Sequence, residues 1–284
     1  MGKYLFSLYL LTLFLPIGVQ AEPQQRILAL TPHACEMLYA IGAEATVVGA
    51  VDFCDYPVAA KLLPRVGSYS GINVEAALRL HPDVAVVMSR NVSGVSMLEK
   101  MGVEIVVSNP LNFEDVFDDI LTMGRLSQCR HKAKLLVDQL RARLQRVRSR
   151  GRSETAVFYE VWYDPLLTAG GPSFISDLIH EAGGRNVFAD LKVETPHVNV
   201  ESVVRAKPQV IVIPLENRNI DERRLFWEQW LGKKTVRFIA INPDLLHRPG
   251  PRLLDGLEQL QQALSETPSS DGVVQMLKSS GVGY

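Results

Sequence analysis

The sequence predicts an α/β protein with two lobes, each a mostly parallel sheet flanked by helices, joined by a long rigid helix. Short apolar runs alternate with helical patterns along most of the chain. That alternation is typical of parallel sheets covered by helices on both faces. It is interrupted at residues 113–150, where one long helical pattern separates two regions with the same rhythm.

The N-terminal residues 1–21 have the pattern of a secretory signal peptide. Lys3 precedes an almost uncharged apolar stretch, and small residues lead to Ala21. The alternative is a membrane anchor, but an apolar core of about 15 residues is short for a span of about 20. No cysteine directly follows Ala21 to carry a lipid. We therefore expect export to the periplasm, with cleavage near Ala21.

The composition narrows the range of partners. The 284 residues are 47% hydrophobic, and the formal net charge is -1. Nucleic acids and anionic lipids attract basic proteins, so neither is expected as a partner. In an oxidising compartment, two of the three cysteines could pair. Cys35 and Cys54 each follow an apolar run, which could place both at one sheet edge; the alternative is three partly buried thiols, Cys129 included.

The N-terminal lobe is predicted to span residues 22–112. Apolar strands and short helices alternate there, and Gly42 ends the first helix as a typical cap. The predicted strands are residues 26–30, 46–51, 84–88 and 104–108, and the predicted helices are residues 34–41 and 74–80.

The linking helix is predicted at residues 113–150, which contain no proline and a single glycine, Gly124. Apolar side chains recur at helical spacing on both sides of Gly124, where the helix could be interrupted. The arginine-rich stretch at residues 141–152 is interpreted as a solvated helix face rather than a nucleic-acid site, because the chain is neutral overall.

The C-terminal lobe is predicted at residues 151–267, where the strand and helix alternation resumes. A flexible tail rich in serine and glycine is predicted at residues 268–284. The predicted strands are residues 156–159, 210–214 and 238–241, and the predicted helices are residues 174–182 and 252–264.

An internal duplication relates the two lobes. Residues 73–87 align without gaps with residues 199–213, and each segment begins with Asn-Val-Glu. Buried strands and helix-ending prolines would explain the apolar part of the likeness. They do not explain the repeated polar residues, which are free to vary on a surface. We expect Glu75 and Glu201 in the first turn of a short helix, where the helix dipole favours a negative charge.

The sequence contains no familiar catalytic motif: no Gly-x-Ser-x-Gly, His-Glu-x-x-His, phosphate loop or Cys-x-x-Cys. His33 and Cys35 have a spacing that could contact a metal, but a metal site needs three or four ligands. We therefore expect neither an enzyme nor a metal site.

Loops that follow strands are where an open α/β sheet places its ligand. Several carry aromatic side chains, which suit a flat, partly apolar ligand, although each could instead be a core or hinge residue. These are Phe53, Tyr56, Tyr69, Trp162 and Tyr163. From the other lobe, the turn at residues 242–251 could supply hydrogen bonds. There His247 and Arg248 are either ligand contacts or a solvated pair.

Several segments resemble the periplasmic vitamin B12-binding proteins, and the likeness spans nearly the whole mature chain. They are residues 26–32, 55–57, 66–75, 168–170, 182–188 and 244–252. The resemblance implies two α/β lobes joined by a rigid helix, a fold shared with haem, ferric-siderophore and metal-ion receptors. It also implies cobalamin as transported ligand, no cofactor, and the permease subunits of an inner-membrane ABC importer as partners. We expect a monomer.

The resemblance implies roles for individual residues. Phe53 and Tyr69 stand where the family has aromatic contacts to the corrin, and Glu75 and Glu201 stand where two carboxylates dock to permease arginines. The ligand-contacting turn of the family corresponds to Asp244, Leu245, Leu246, His247 and Arg248.

The chain departs from the family pattern at several positions. Met88 and Thr195 replace two ligand-side tryptophans, and Ala182 replaces one cysteine of the family disulfide, leaving Cys35 with Cys54 as a different candidate bridge. A haem or ferric-siderophore receptor is the first alternative. It would need an axial ligand or a basic pocket, to which His33 and Arg90 could contribute. A secreted enzyme acting on a corrinoid or peptide would need a nucleophile with a positioned base, and no such pair stands out.

Overall fold

A computed structural model describes residues 24–68, 71–215, 220–232, 236–266 and 275–277. The predicted signal peptide, its cleavage point at Ala21 and the ligand role of Tyr69 lie outside these residues. Within these ranges, no helix combines the length and apolarity that crossing a bilayer requires.

The first lobe is built on a mainly parallel sheet. Its strands are β1 (Ile27–Ala29), β2 (Val47–Val51), β3 (Arg65–Ser68), β4 (Gly71–Ile72), β5 (Val84–Val87) and β6 (Glu104–Val107). Its helices are α1 (Pro32–Ala40), α2 (Val74–Leu78) and α3 (Val95–Lys100), with 3-10 turns at Glu44–Thr46 and Val58–Leu62. The strand order is β4-β3-β2-β1-β5-β6, and β3 with β4 is the antiparallel pair.

Local chemistry explains the start and end of α1. Thr31 caps the helix, since its hydroxyl accepts a hydrogen bond from the backbone amide of Ala34 at 3.2 Å. Pro32 occupies the first turn, where its missing N–H leaves no bond unmade. Gly42 follows the helix with φ of 66°, a left-handed conformation that glycine adopts without strain. The helix thus leads directly from β1 into the chain segment before β2.

The linking segment contains two helices, α4 (Phe113–Leu126) and α5 (Arg130–Ser149), so the predicted long helix is interrupted, but at residues 127–129 and not at Gly124. The chain turns at Gln128, whose φ is 61°. Gly124 lies inside α4, where a Cβ would stand 2.3 Å from the Cβ of Ala133 on α5. Gly124 therefore allows close packing of the two helices and does not interrupt the first.

The second lobe is also built on a mainly parallel sheet flanked by helices. Its strands are β7 (Thr155–Tyr163), β8 (Leu166–Thr168), β9 (Gly184–Asn186), β10 (Val210–Pro214), β11 (Arg237–Ile241) and β12 (Gln275–Leu277). Its helices are α6 (Phe174–Glu181), α7 (Val200–Ala206), α8 (Ile220–Leu231) and α9 (Leu253–Ser265). The strand order of this sheet is β12-β11-β10-β7-β8, and β9 also pairs with β7. Among these described strands, only β8 runs antiparallel to its neighbour, β7.

The tail differs from the prediction at one place. Gln275–Leu277 lie within the predicted flexible segment, but as β12 they pair in parallel with β11. The rest of residues 268–284 lies outside the described part. The segment is rich in serine and glycine, and this composition did not indicate a strand.

One apolar core connects the two lobes. Phe113 of α4 packs against Phe174 of α6, with ring centroids 5.7 Å apart. On the other side of the linking segment, Arg143 of α5 binds Asp255 and Glu258 of α9. Two sheets flanked by helices and joined through α4 and α5 confirm the predicted fold class.

Candidate functional site

The two lobes meet where loops leave the carboxyl ends of parallel strands. The loop at residues 52–57 follows β2 of the first lobe, and a 3-10 turn at Pro243–Leu245 follows β11 of the second. An ion pair of 2.5 Å joins Arg248, just after that turn, to Asp55 in the loop. This edge is where open α/β sheets bind ligands, so the region between the lobes around this ion pair, called the cleft below, is the candidate site.

Arg248 is surrounded by carboxylates from both lobes. Besides Asp55, it binds Asp244 at 3.0 Å and lies 3.6 Å from Glu36. Burial alone would lower the pKa of Arg248, but its hydrogen bond to Asp55 and the three negative charges raise it. Burial acts to raise the pKa of Asp55, yet the hydrogen bond and charge of Arg248 bring it below its ordinary value. Both groups are therefore charged at neutral pH.

A second ion pair lies deeper between the lobes. Glu36 of α1, only 3% exposed, accepts two hydrogen bonds from Arg252, of 2.6 and 2.9 Å. The Arg252 guanidinium also stacks 3.8 Å above the ring centre of Tyr56. Burial raises the pKa of Glu36, and the hydrogen bonds and charge of Arg252 oppose that rise. The structure adds Glu36 and Arg252 to the site; the signal for Glu36 was a charge within an apolar helical run.

The predicted ligand turn divides into two kinds of residue. Asn242 accepts a hydrogen bond from the backbone amide of Asp244 at 3.0 Å, which fixes the turn. Leu245 and Leu246, which are also predicted to bind ligand, have side chains buried in the core. They are the apolar anchors that hold the turn in place. His247 is held by the hydroxyl of Tyr159, 3.0 Å from its Nε2.

The aromatic residues that were predicted to contact ligand also differ in exposure, position and contacts. Phe53 of the first lobe and Trp162 of the second are 49% and 41% exposed. Trp162 and Tyr163 lie at the end of β7, not on a loop as predicted, because β7 continues into a hairpin with β8. The indole N–H of Trp162 donates to the carbonyl of Asp164 at 2.8 Å, which fixes the ring. Tyr56 stacks on Arg252, so it supports the ion pair.

The bridge between Cys35 and Cys54 is present, which confirms that candidate disulfide. Their Cα atoms are 6.0 Å apart, a usual separation for a disulfide. The bond fastens the loop at residues 52–57 to α1. Cys129 is free, with its Sγ 3.8 Å from the carbonyl oxygen of Gly42.

His33 is buried inside the first lobe. Its Nε2 lies 2.9 Å from the Ser108 hydroxyl and 3.2 Å from that of Thr31. Burial lowers the pKa of His33 to about 4, although the hydrogen bond to the Ser108 backbone opposes the change, so the ring is neutral at neutral pH. Arg90 forms a 2.6 Å ion pair with Glu99. Neither residue offers the axial ligand or free cation that a haem receptor would need.

The described ranges also contain no metal-binding site. Cys35 is bonded to Cys54, so the spacing of His33 and Cys35 supplies no thiolate. No group of three or more His, Cys, Asp or Glu side chains there is arranged to hold a metal ion.

The duplicated segments form matching helices. Glu75 lies in the first turn of α2 and Glu201 in the first turn of α7, and both are exposed. Asn73 and Asn199 cap them in the same way, each side chain accepting a backbone hydrogen bond of 3.0 or 2.9 Å. The helices lead into β5 and β10, interior strands of the two sheets. The repeat in the sequence is thus a repeat in structure.

Two α/β lobes joined by helices, whose loops meet at the carboxyl edges of both sheets, define a two-lobed solute-binding protein. A family model described as "Periplasmic binding protein" matches residues 27–223. The chain therefore belongs to the periplasmic binding protein family.

Individual relatives extend this result. The chain is 32% identical over 257 residues to a vitamin B12-binding protein of Yersinia pestis (strain Pestoides F), covering 89% of this chain and 91% of the relative. The periplasmic vitamin B12-binding protein BtuF of Vibrio cholerae superposes with a TM-score of 0.76 at 30% identity, covering 85% and 97% of the two chains. The periplasmic heme-binding protein HutB of Vibrio cholerae, with a TM-score of 0.75 at 17% identity and coverage of 85% and 99%, shares the fold.

Proposed function

We propose that this protein captures a cobalamin in the cleft between its lobes and delivers it to the permease of an inner-membrane ABC importer. The observation that carries the proposal is the likeness, over nearly nine-tenths of the chain, to relatives named for binding vitamin B12. No catalytic step and no resident cofactor belong to this function.

The side chains at the cleft suit a flat macrocycle with polar edges. Phe53 and Trp162 offer broad half-exposed apolar faces, one from each lobe. From the sequence alone, we assign the ring of Tyr69 as a third such face. Asp244, His247 and Arg248 supply donors and acceptors for side-chain amides of the ligand. The buried Leu245 and Leu246 contribute through the backbone that they hold in place.

The test is calorimetric titration of refolded, ligand-free protein with cyanocobalamin, haem and a ferric hydroxamate siderophore. We expect tight binding of cyanocobalamin and much weaker binding of the other two. Tight haem binding without cobalamin binding would overturn the proposal. The titration with the siderophore shows whether the protein binds bulky ligands in general or recognises the corrin.

Export belongs to the same proposal. Residues 1–21 are assigned as a signal peptide cleaved near Ala21, and the mature protein acts in the periplasm as a monomer. Mass spectrometry of the protein recovered from a periplasmic fraction tests the cleavage point.

Docking to the permease is assigned to Glu75 and Glu201. Exposed charges steer and orient association, so reversing both should remove the attraction to basic permease residues. We expect Glu75→Lys with Glu201→Lys to lower stimulation of the importer's ATPase in proteoliposomes at least about tenfold. Cobalamin affinity should stay unchanged.

A matched control reverses two exposed carboxylates outside the duplicated helices, Glu44→Lys with Asp118→Lys. This variant has the same net charge and should stimulate like the unaltered protein. Equal losses in both variants would show a general charge effect and refute specific docking. Weakened cobalamin binding in the Glu75 and Glu201 variant would also count against it.

A further inference from the structure

We propose that Asp55 is a specificity-determining residue that keeps anionic ligands out of the cleft by neutralising Arg248. The inference rests on the proposed function, because it assigns a ligand class to the same site. It predicts that the cleft accepts ligands with uncharged amide edges and rejects ligands with carboxylates or phosphates at the same place.

The exposure of the three side chains shows which of them a ligand meets first. The side chain of Arg248 is 11% exposed, whereas those of Asp55 and Asp244 are 40% and 39% exposed. Both carboxylates contact the guanidinium, and each is more than three times as exposed as it is. An incoming ligand therefore meets carboxylate oxygens before it meets the cation.

The charges around Arg248 also disfavour an anionic ligand. Arg248 carries one positive charge and contacts two carboxylates, Asp55 and Asp244. The nearby Arg252 is already bound by Glu36 through two hydrogen bonds and adds no free cation. A ligand anion could pair with Arg248 only beside an existing carboxylate, and two like charges that close repel strongly.

A neutral amide meets no such penalty. Its N–H groups can donate to Asp55 or Asp244, and its carbonyl oxygen can accept from Arg248. The three charged groups thus form a surface that matches amides and disfavours acids.

The position of Asp55 is fixed by its neighbours. Cys54 precedes it in the chain and is bonded to Cys35 of α1. On the opposite side, Arg248 follows the turn that Asn242 and the buried Leu246 hold in place. The backbone that carries Asp55 is therefore covalently fastened to α1, and its carboxylate can leave Arg248 only by a side-chain rotation that breaks the ion pair.

The test compares cyanocobalamin with its monocarboxylic acids, in which one peripheral amide has been hydrolysed to a carboxylate. Dissociation constants are measured for the unaltered protein and for Asp55→Asn. We expect the unaltered protein to bind at least one acid about tenfold more weakly than cyanocobalamin, because the acid faces two carboxylates. In Asp55→Asn the ratio of the acid's dissociation constant to that of cyanocobalamin should shrink to about threefold or less.

The matched control is Asp52→Asn, three positions earlier in the chain. Asp52 is exposed, and its side chain makes no hydrogen bond or ion pair with the described residues. This variant has the same net charge as Asp55→Asn but should discriminate like the unaltered protein. Asp55→Glu retains the negative charge and should also keep the discrimination.

The possible failures are distinguishable. If the unaltered protein binds cyanocobalamin and all of its acids equally, the inference is wrong and the proposed function stands. The inference is also wrong if Asp55→Asn and Asp52→Asn discriminate alike. If the unaltered protein does not bind cyanocobalamin at all, it is the proposed function that fails.

Discussion

Replacing Glu36 with glutamine is expected to lower the free energy of unfolding by about 4 kcal/mol, since removing one partner of a buried ion pair leaves the other charge uncompensated. Glu36 is almost fully buried, and the side chain of its partner Arg252 is only 12% exposed. Glutamine has nearly the same shape, so the loss reports on the charge and not on packing. Urea unfolding followed by tryptophan fluorescence measures it.

Two further variants separate the ion pair from other effects. Glu44→Gln removes an exposed carboxylate of the same lobe and should change stability by less than about 0.5 kcal/mol. Glu36→Leu with Arg252→Met replaces both charges by apolar groups and should recover much of the loss, because no buried charge is left unpaired. If Glu36→Gln is as stable as Glu44→Gln, the buried pair does not hold the lobes together.

The fold was predictable because buried parallel strands leave a simple pattern. All four residues of β5 are buried, and the run from Val84 to Val87 is apolar without interruption. The break between α4 and α5 was not predictable in the same way. Gln128 adopts a left-handed conformation that non-glycine residues seldom take, and no proline or glycine marks it. Gly124 appeared to mark the break, but its small size serves the contact with Ala133.

The site was only partly predictable, because its main contacts join residues far apart in the chain. Arg248 and Asp55 are separated by 193 positions, and Arg252 and Glu36 by 216. Helical and strand periodicity report only on near neighbours, so they cannot indicate such pairs. The Glu75 and Glu201 helices were found in the sequence because a duplication is visible without knowledge of the fold.

The disulfide is the second feature with a large expected effect on stability. It closes a loop between residues 19 positions apart, for which chain entropy predicts a stabilisation of about 3 kcal/mol. We expect Cys35→Ala with Cys54→Ala to lower the free energy of unfolding by about that amount. Reduction of the unaltered protein should have a similar effect, again measured by urea unfolding.

The same bond should matter for binding, since it fastens Phe53 and Asp55 to α1 through Cys54. Without it, the loop must be ordered when ligand binds, so cobalamin affinity should fall together with stability. Cys129→Ala leaves the bridge intact and is the control for losing a thiol. A reducing agent should change the unaltered protein and Cys129→Ala alike, and it should leave the variant without Cys35 and Cys54 unaffected. If reduction lowers stability but leaves cobalamin affinity unchanged, the bridge stabilises the lobe without positioning the binding loop.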